Sequence, residues 1–431
     1  MAKFSHRKIP FRECISADAK EVAIFATDVL TQPQFSKYAH MNPHVFCKCS
    51  RALPIAKSND IVVLTGSLEP QYYQWLRGIG FGPETVIEYR YHASDVSLTD
   101  IILGDLAPIH QALEREQKKA VLVPFYSGHK ESVLAESLGV SLFGSDTEIC
   151  KRYFNKASFK RICVELGIPT VSGSSFSMND THHTGAFEQL VSAVLSNYGK
   201  VIIRGEFGSS GSSLYQADCS SRLPQLYDQI RANDDGNLLI EPMLKVVASP
   251  NDQWIIDREG KIHHLGMSAQ LFKELAHAGN LKGQYFSGKT YKYITSVSRK
   301  IVRKMADDGY TGALGIDYIV TEEGIFPIEN NARLNGSSFV YGIVDRVEEQ
   351  IGSVPCWKFF KARTQPGDFH QLADALGTIL YSGKQLNRVF PFDCDMLALN
   401  GEFTAVLLAE DMYHIDYLEE ALTLAGIERV H

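Results

Sequence analysis

The 431-residue chain lacks any run of apolar residues that approaches the roughly 18 needed to cross a bilayer. Its first residues, MAKFSHRKIPFREC, carry charge early and have no continuous apolar segment followed by a small-residue cleavage site, so no secretory signal is visible. The net charge of −7 argues against a nucleic-acid-binding surface as the main function. These absences predict a cytoplasmic protein whose partners are neither membranes nor nucleic acids.

Two common kinds of site are also missing from the sequence. The eight cysteines are scattered, and the one close pair, Cys47 and Cys49, has no second Cys or His pair at the spacing of a zinc site. No G-x-G-x-x-G motif follows a strand with an acidic residue about 20 positions on, which is the fingerprint of a dinucleotide site. A zinc protein and a nicotinamide-dependent dehydrogenase are therefore both disfavoured.

The composition is that of a folded globular protein, with 45% hydrophobic and 22% charged residues. At about 150 residues per domain, the length allows two to four domains. Short apolar segments at 61–65, 86–90 and 120–124 alternate with helical patterns over the first part of the chain. This alternation predicts an α/β layer with a parallel, Rossmann-like sheet, and the hairpins and helices after it predict an α+β region.

A segment in the second half, GALGIDYIVTEEGIFPIENNARLNGSS, has the pattern of a β-hairpin. Residues 316–321 and 325–330 are rich in β-branched and aromatic side chains, and residues 322–324 form a three-residue turn that ends in glycine. Such a turn predicts that Thr321 faces Ile325 across the hairpin.

Counting back along that register brings together side chains suited to a metal ion. Asp317 falls opposite Glu329, and side chains two residues apart on a strand share a face, so Asn331 and Arg333 join them. Two carboxylates and a carboxamide oxygen are ligands that suit Mg²⁺. An arginine beside them can stabilise charge on a phosphoryl group in transfer. The hairpin therefore predicts a magnesium and phosphate site.

Three segments upstream add groups that can hold an anion. Lys156 opens a helix with one apolar face that ends at Gly167. A strand at 201–204 runs into the Gly/Ser-rich stretch 205–214, whose small residues let backbone N–H groups approach phosphate oxygens. The segment 238–244 has the pattern of a buried apolar strand that ends in an acid, Glu241, followed by proline.

In this order, the segments resemble the ATP-grasp superfamily of ligases. The shared features are a lysine before a helix, a cationic strand end, a Gly/Ser loop, an acidic hinge, and an acid twelve residues before Glu-x-Asn-x-Arg. The resemblance spans roughly 156–338 and is greatest, by layout, to the peptide ligase of pheganomycin biosynthesis and related natural-product amide ligases. It implies an ATP-grasp fold, in which two α+β lobes grip ATP, preceded by a Rossmann-like pre-ATP-grasp domain.

The resemblance further implies domain bounds and a role for each motif residue. The domains are a pre-ATP-grasp domain at 1–150, a nucleotide-binding lobe at 151–244, and a lobe at 245–431 that holds the metal-binding hairpin and a small α+β tail. The implied metal ligands are Asp317, Glu329 and Asn331. The implied ATP contacts are Lys156, Arg204, Gly208, Ser209, Ser210, Gly211, Ser212, Glu241, Pro242, Met243 and Leu244. The implied catalytic residues are Arg333 and Arg204, and the implied contacts to the acyl donor are Ser337 and Ser338.

Arg204 is a departure from the family pattern, which ends the first strand in lysine. Arginine keeps the positive charge but presents it as a planar fork, so the two residues are not interchangeable. The substitution raises a question about how the nucleotide is oriented and whether the chain is catalytically impaired.

The resemblance implies a carboxylate–amine ligase that uses ATP and Mg²⁺, with two ions expected. A carboxylate, from an amino acid or a peptide, would be activated as an acylphosphate, and an amine would then displace phosphate to form an amide. This is a reaction of small-molecule or peptide natural-product biosynthesis. A homodimer and a carrier-protein partner both stay open.

Two alternatives to this function remain at the sequence level. The first is an ATP-grasp enzyme with another acceptor, such as a carrier-protein thiol, or with bicarbonate chemistry. The second is a nucleotide-binding protein that no longer catalyses, which Arg204 supports. The intact set of Asp317, Glu329, Asn331 and Arg333 counts against it, because a binder without catalysis has no need of all four.

Overall fold

The structure is a computed structural model of the chain. It describes residues 9–16, 18, 20–32, 43–66, 68–90, 96–116, 119–178, 184–208, 213–233, 236–283 and 286–430, with the backbone alone at 43–47 and 116.

The first part of the chain forms a five-stranded parallel sheet, as the sequence predicts. Its strands are β1 Val22–Ala26, β2 Ile61–Thr65, β3 Thr85–Tyr89, β4 Ala120–Pro124 and β5 Ser141–Leu142, in the order β3-β2-β1-β4-β5. The helices are α1 Phe11–Ile15, α2 Pro70–Gly78, α3 Leu98–Gly104, α4 Ala107–Glu116, α5 His129–Leu138 and α6 Thr147–Phe154, with 3₁₀ turns at Val29–Thr31 and Pro43–Ala52. The Rossmann-like prediction is confirmed.

The second part is a small four-stranded antiparallel sheet with its own core. After α7 Lys156–Glu165 come β6 Ser174–Ser177, α8 Thr184–Tyr198, β7 Lys200–Gly205, β8 Leu214–Asp218, α9 Leu223–Ala232 and β9 Asn237–Pro242, with strand order β6-β9-β7-β8. Phe187, Ile203 and Ile240 belong to this separate core, which lies within the expected lobe at 151–244. The buried face of α7, including Phe159 and Ile162, packs instead into the larger core.

The third part is built around a ten-stranded antiparallel sheet. Its strands are β10 Val246–Ala248, β11 Pro250–Ile256, β12 Ile262–Lys273, β13 Ala276–Lys282, β14 Gly312–Thr321, β15 Ile325–Asn331, β16 Cys356–Arg363, β17 Arg388–Phe392, β18 Glu402–Ala409 and β19 Glu428–Arg429. The order is β10-β14-β11-β12-β13-β16-β18-β17, with β15 also paired to β14 and β19 to β16. The helices are α10 Gly288–Asp307, α11 Gly336–Ile351, α12 Phe369–Leu376, α13 Leu397–Asn400 and α14 Met412–Leu424, with a 3₁₀ turn at Gly377–Ile379.

Helix α10 covers one face of this sheet and leaves the other face for polar side chains. Ser287 caps the helix by accepting a hydrogen bond from the N–H of Thr290, and the predicted apolar stripe, including Ile294 and Ile301, is buried. Each such side chain stabilises the fold by about 1.5–3 kcal/mol. Ser298 of α10 hydrogen-bonds Tyr318 of β14 at 2.8 Å. Because neighbours along a strand point to opposite faces, Asp317 lies on the face away from α10.

None of the helices within the described ranges is long and apolar enough to span a membrane.

Candidate active site

The hairpin of β14 and β15 brings Asp317 opposite Glu329, as expected, but the strand register that produces this pair differs from the expected one. Val320, not Thr321, pairs with Ile325, so the expected pairing of Thr321 is wrong by one residue. A β-bulge between Asp317 and Tyr318 inserts one extra residue on β15 and restores the register. The bulge follows Pro327, which has no N–H to donate to the ladder.

Asp317 is a buried acid of the site whose carboxylate is held by hydrogen bonds on both oxygens. It is 7% exposed, and both of its carboxylate oxygens accept amide hydrogen bonds, from Asn251 Nδ2 at 2.6 Å and from Asn331 Nδ2 at 3.0 Å. Burial, and then the negative charge of Glu329, raise the pKa of Asp317 to about 7. Two acids held this close repel each other, so a cation between them would be stabilised.

Arg333 lies beside the acids in an aromatic slot. Its guanidinium carbon is 5.4 Å from the ring centre of Phe125 and 5.3 Å from that of Phe154, and Nη2 donates to Asn331 Oδ1 at 2.8 Å. Burial lowers the pKa of Arg333 to about 10, which the charges of Glu329 and Asp317 oppose. Arg333 is therefore a cation at neutral pH. Within the described part of the chain, no acceptor reaches its buried Nε.

Lys156 joins the hairpin to the Gly/Ser-rich stretch. Asn155 caps α7 by accepting a hydrogen bond from the N–H of Ser158, which fixes the first helical residue. From there Lys156 Nζ lies 3.3 Å from Glu329 Oε1 and donates to the carbonyl oxygen of Gly208 at 3.2 Å. The predicted phosphate contacts Ser209, Ser210, Gly211 and Ser212 lie outside the described residues.

Arg204 has partners that the sequence does not indicate. Its Nε and Nη2 donate to Glu241 Oε2 at 3.0 and 2.6 Å, and its Nη1 donates to the carbonyl oxygen of Ile328 at 2.7 Å. The other oxygen of Glu241 accepts from Lys160 Nζ at 2.6 Å. Arg204 therefore bridges the small sheet to the hairpin of β14 and β15 through a fork that a lysine does not have.

The residues after Glu241 line the edge where the small sheet ends. Pro242 closes β9 opposite Val201, and the N–H of Met243 donates to the carbonyl oxygen of Lys200 at 3.1 Å. Met243 and Leu244 are half-buried. This backbone segment follows the last strand of the small lobe, which agrees with a hinge.

The two serines after the hairpin begin α11. Asn335 caps that helix by accepting a hydrogen bond from the N–H of Ser338, and both Ser337 and Ser338 are buried. The hydroxyl of Ser338 donates to Gln253 Oε1 at 3.1 Å. Ser338 therefore faces the sheet, where its hydroxyl contacts Gln253.

Sequence reasoning missed two polar residues on β11 that support the site. Gln253 Nε2 donates to Asn251 Oδ1 at 2.7 Å, and Asn251 donates to Asp317, so a directed chain of hydrogen bonds runs from Ser338 to the acid. The signal in the sequence that could have indicated them is the pair of carboxamide residues, Asn251 and Gln253, two positions apart just before an apolar segment. Such a chain fixes the position of Asp317, as second-layer contacts commonly do for metal ligands.

The donor set fits a hard cation that shares its ligands with phosphate. Asp317 and Glu329 offer carboxylate oxygens, whereas Asn331 turns its Nδ2 to Asp317 and its Oδ1 to Arg333. Mg²⁺ is usually held by one or two carboxylates together with phosphate oxygens. The described ranges hold no group of three or more His, Cys, Asp or Glu side chains placed for a metal. A fully protein-held metal site is therefore not found there, whereas a metal–nucleotide site is compatible with the two acids.

Over nearly its whole length, the structure is similar to solved structures of carboxylases and of a carboxyaminoimidazole ribonucleotide synthase. The match to a biotin carboxylase complex with β,γ-ATP from Campylobacter jejuni covers 95% of this chain and 91% of the biotin carboxylase chain, with a TM-score of 0.59 and 15% identity. A carboxyaminoimidazole ribonucleotide synthase from Aspergillus clavatus, complexed with ATP, covers 94% and 98%, with a TM-score of 0.54 and 12% identity. The biotin carboxylase domain of Hydrogenobacter thermophilus 2-oxoglutarate carboxylase covers 96% and 91%, with a TM-score of 0.58 and 14% identity.

Sequence comparisons find similarity over a smaller part of the chain. No family model matches the chain. The mitochondrial pyruvate carboxylase of Rattus norvegicus is 24% identical over 213 residues, which are 46% of this chain and 17% of that protein. The structural likeness therefore establishes the fold: the chain has the ATP-grasp fold of biotin carboxylase, with the parallel-sheet domain in front of it.

Proposed function

We propose that the chain is an ATP-dependent ligase that activates a carboxylate as an acylphosphate and joins it to an amine. The donor would be an amino acid or a peptide, and the reaction would belong to small-molecule or peptide natural-product biosynthesis. Kinship with the pheganomycin-type peptide ligases is part of this proposal.

One observation carries the proposal. Within an ATP-grasp fold, Asp317 and Glu329 pair across a hairpin while Lys156 reaches both Glu329 and Gly208, which lies in the Gly/Ser-rich stretch. Two acids, a buried lysine and a buried arginine then surround one place. That arrangement suits a metal-bound polyphosphate, because phosphoryl transfer depends mainly on positioning and charge neutralisation.

Each residue has a part in this chemistry. Asp317, Glu329 and Asn331 would hold Mg²⁺, which supplies charge neutralisation at the phosphates. Lys156, released from Glu329, would orient the phosphate being transferred. Arg333, kept charged beside the acids, would stabilise negative charge on the transferring phosphoryl group and on the tetrahedral species that precedes the amide.

Bicarbonate in place of an organic acid is the second candidate. Two of the similar structures are carboxylase domains, and the Hydrogenobacter thermophilus domain was solved as a dimer with MgADP and a bicarbonate anion. The same groups would activate bicarbonate, and the acceptor amine would then receive a carboxyl group.

The test is the release of ADP and phosphate with ATP and Mg²⁺ across a panel of amino acids, small acids and bicarbonate, each alone and paired with amines. Mass spectrometry of the product distinguishes an amide from a carboxylated amine. Glu329→Gln should lower the turnover by roughly 100-fold or more, because a charge that neutralises the site is lost. Glu323→Gln, in the exposed turn of the same hairpin, is the matched control and should leave turnover unchanged.

Release that requires a particular acid and amine, and that the Glu329 variant lacks, would support the ligase. Nucleotide binding without turnover anywhere in the panel would argue instead for a carrier-protein acceptor, to be screened next, or for a nucleotide-binding protein without catalysis. Equal activity in both glutamate variants would refute the assigned site.

A further inference from the structure

The strand register shows which face of the ten-stranded sheet each side chain occupies. Residues directly opposite each other on antiparallel strands share a face, and so do residues two apart on one strand. By this rule Asp317 shares its face with residues on β11, β12, β13 and β16, namely Asn251, Ser268, Gln270, Asn280 and Phe359. Lys358, next to Phe359 on β16, therefore lies on the other face, which α10 covers.

Helix α14 lies on the same face of the sheet as α10. Lys358 Nζ is 2.6 Å from Glu419 Oε2 of α14. Helix α14 packs on β16 and β18, whereas α10 packs on β11 and β12. In the strand order β11-β12-β13-β16-β18, the centres of the two helices are three strand spacings apart, which is about 14 Å. Both helices therefore present their outer sides to solvent from the face that is turned away from the candidate metal site.

The outer side of α10 is positively charged. Residues 288–306 include six lysines and arginines and no acid. Five of these cations are exposed and recur at helical spacing on the side opposite the buried stripe: Lys289, Lys292, Arg299, Lys300 and Arg303. The sixth, Lys304, pairs with Asp308. No acid in the described part of the chain forms an ion pair with the other five.

The outer side of α14 has the opposite charge and also exposes large apolar groups. Residues 410–428 include six acids and no lysine or arginine. Asp416 and Glu420 are exposed one helical turn apart, and neither forms an ion pair with another described residue. On the same outer side, Tyr413, Tyr417 and Leu424 are 75%, 51% and 82% exposed. Their apolar area is therefore left to solvent in the single chain.

A helix that only faces water usually mixes the two signs of charge. Acid–base pairs three or four residues apart stabilise a helix, and like charges at that spacing destabilise it. Helix α10 has Arg299 and Arg303 four residues apart, and its first turn contains Lys289 and no acid, although the helix dipole disfavours a cation there. The repulsion within α10 would be relieved by a surface of opposite charge, and α14 is such a surface.

We propose that this face is the interface of a homodimer, in which α10 of each copy lies against α14 of the other copy. A two-fold axis that runs along the face, midway between the helices, brings both pairs of helices together at once, so the contact occurs twice. The cations of α10 then meet Asp416 and Glu420, and its arginines lie against the rings of Tyr413 and Tyr417. The candidate metal site is on the opposite face of the sheet, so the interface does not depend on the proposed ligase activity.

The test is sedimentation equilibrium of the full chain and of two charge-reversal variants. The wild type should be a dimer whose dissociation constant rises by about tenfold or more when salt screens the charges. Lys292→Glu with Arg299→Glu and Arg303→Glu reverses the charge of α10, and Asp416→Lys with Glu420→Lys reverses that of α14. Each variant alone should be monomeric. An equimolar mixture of the two should dimerise again, because each altered helix then meets a partner helix of opposite charge, and so does each unaltered helix.

The matched control reverses three exposed cations of the small lobe, Lys200→Glu, Arg222→Glu and Arg231→Glu, and should stay dimeric. Recovery of the dimer in the mixture excludes misfolding as the cause of the monomers. A monomeric wild type, a dimer that persists in either α10 or α14 variant, or a mixture that stays monomeric would overturn the proposal. Assemblies larger than a dimer would indicate a head-to-tail contact and would also overturn it. So would a monomeric wild type that binds polyglutamate through α10, which would indicate an acidic partner of another kind.

Discussion

At the scale of single residues, Asp317 combines a carboxylate held by hydrogen bonds with a raised pKa. Its oxygens are both held by amide donors, which fixes the carboxylate in place, yet burial and the charge of Glu329 raise its pKa to about 7. A proton and a metal ion compete for the same carboxylate. A cation that binds beside Asp317 would therefore displace a proton near neutral pH.

We expect the affinity for Mn²⁺, a probe for Mg²⁺, of the protein saturated with the non-hydrolysable ATP analogue AMP-PNP to fall as the pH drops below about 7. A lower pH protonates Asp317, so the apparent dissociation constant should rise by up to about tenfold per pH unit. Electron paramagnetic resonance of free Mn²⁺ between pH 6 and 8 measures it.

Two variants make this measurement specific. Asp317→Asn should bind weakly at every pH. Asp395→Asn removes a different acid whose pKa burial also raises to about 7, and it should keep the wild-type profile. An affinity that stays constant from pH 6 to 8 in the wild type would contradict the exchange of proton for metal.

At the scale of elements, the hairpin shows what the sequence can and cannot predict. Both strands and the pair Asp317 and Glu329 follow from residue types, because β-branched residues, a glycine turn and acids at even spacing are local signals. The bulge does not follow, since its position depends on how β14 also pairs with β10 and β11. The turn count was wrong by one residue and the bulge compensated for it.

Helix α7 offers a direct test of how an element positions Lys156, the proposed phosphate contact. Asn155→Ala removes the cap of the helix that begins with Lys156, and it should lower the free energy of unfolding by about 1 kcal/mol. The KM for ATP should rise as well, because Lys156 would no longer be held in place at the first residue of the helix. Urea unfolding and steady-state kinetics measure the two effects.

Asn155→Asp is the matched control, because aspartate caps helices as well as asparagine does. It should retain both stability and KM. If Asn155→Ala lost stability while the KM for ATP stayed at the wild-type value, the cap would support the fold without positioning Lys156.

At the scale of the whole molecule, the small lobe is joined to the large body beside the site by polar contacts and by Phe207, which packs against Phe154 of the larger core. The small sheet has its own core, whereas α7 and the hairpin belong to the large one. Arg204 donates to Ile328 across 124 positions in sequence, and Lys160 reaches Glu241 across 81. The sequence motif order predicts two lobes, but contacts this distant leave no local signal, so the partners of Arg204 could not be predicted.

This placement gives Arg204 a bridging role that a lysine would not fill, and it predicts the effect of replacing it by lysine. Arg204→Lys keeps the charge but cannot bond Glu241 and Ile328 through a planar fork. The small lobe should then exchange its amide hydrogens faster in β7 and β9, and the KM for ATP should rise by about tenfold for the loss of a charge-assisted contact. Arg222→Lys, an exposed arginine of the same lobe, should change neither. If Arg204→Lys bound ATP as tightly as the wild type with unchanged exchange, Arg204 would serve as a simple cation and the lobes would be held by other contacts.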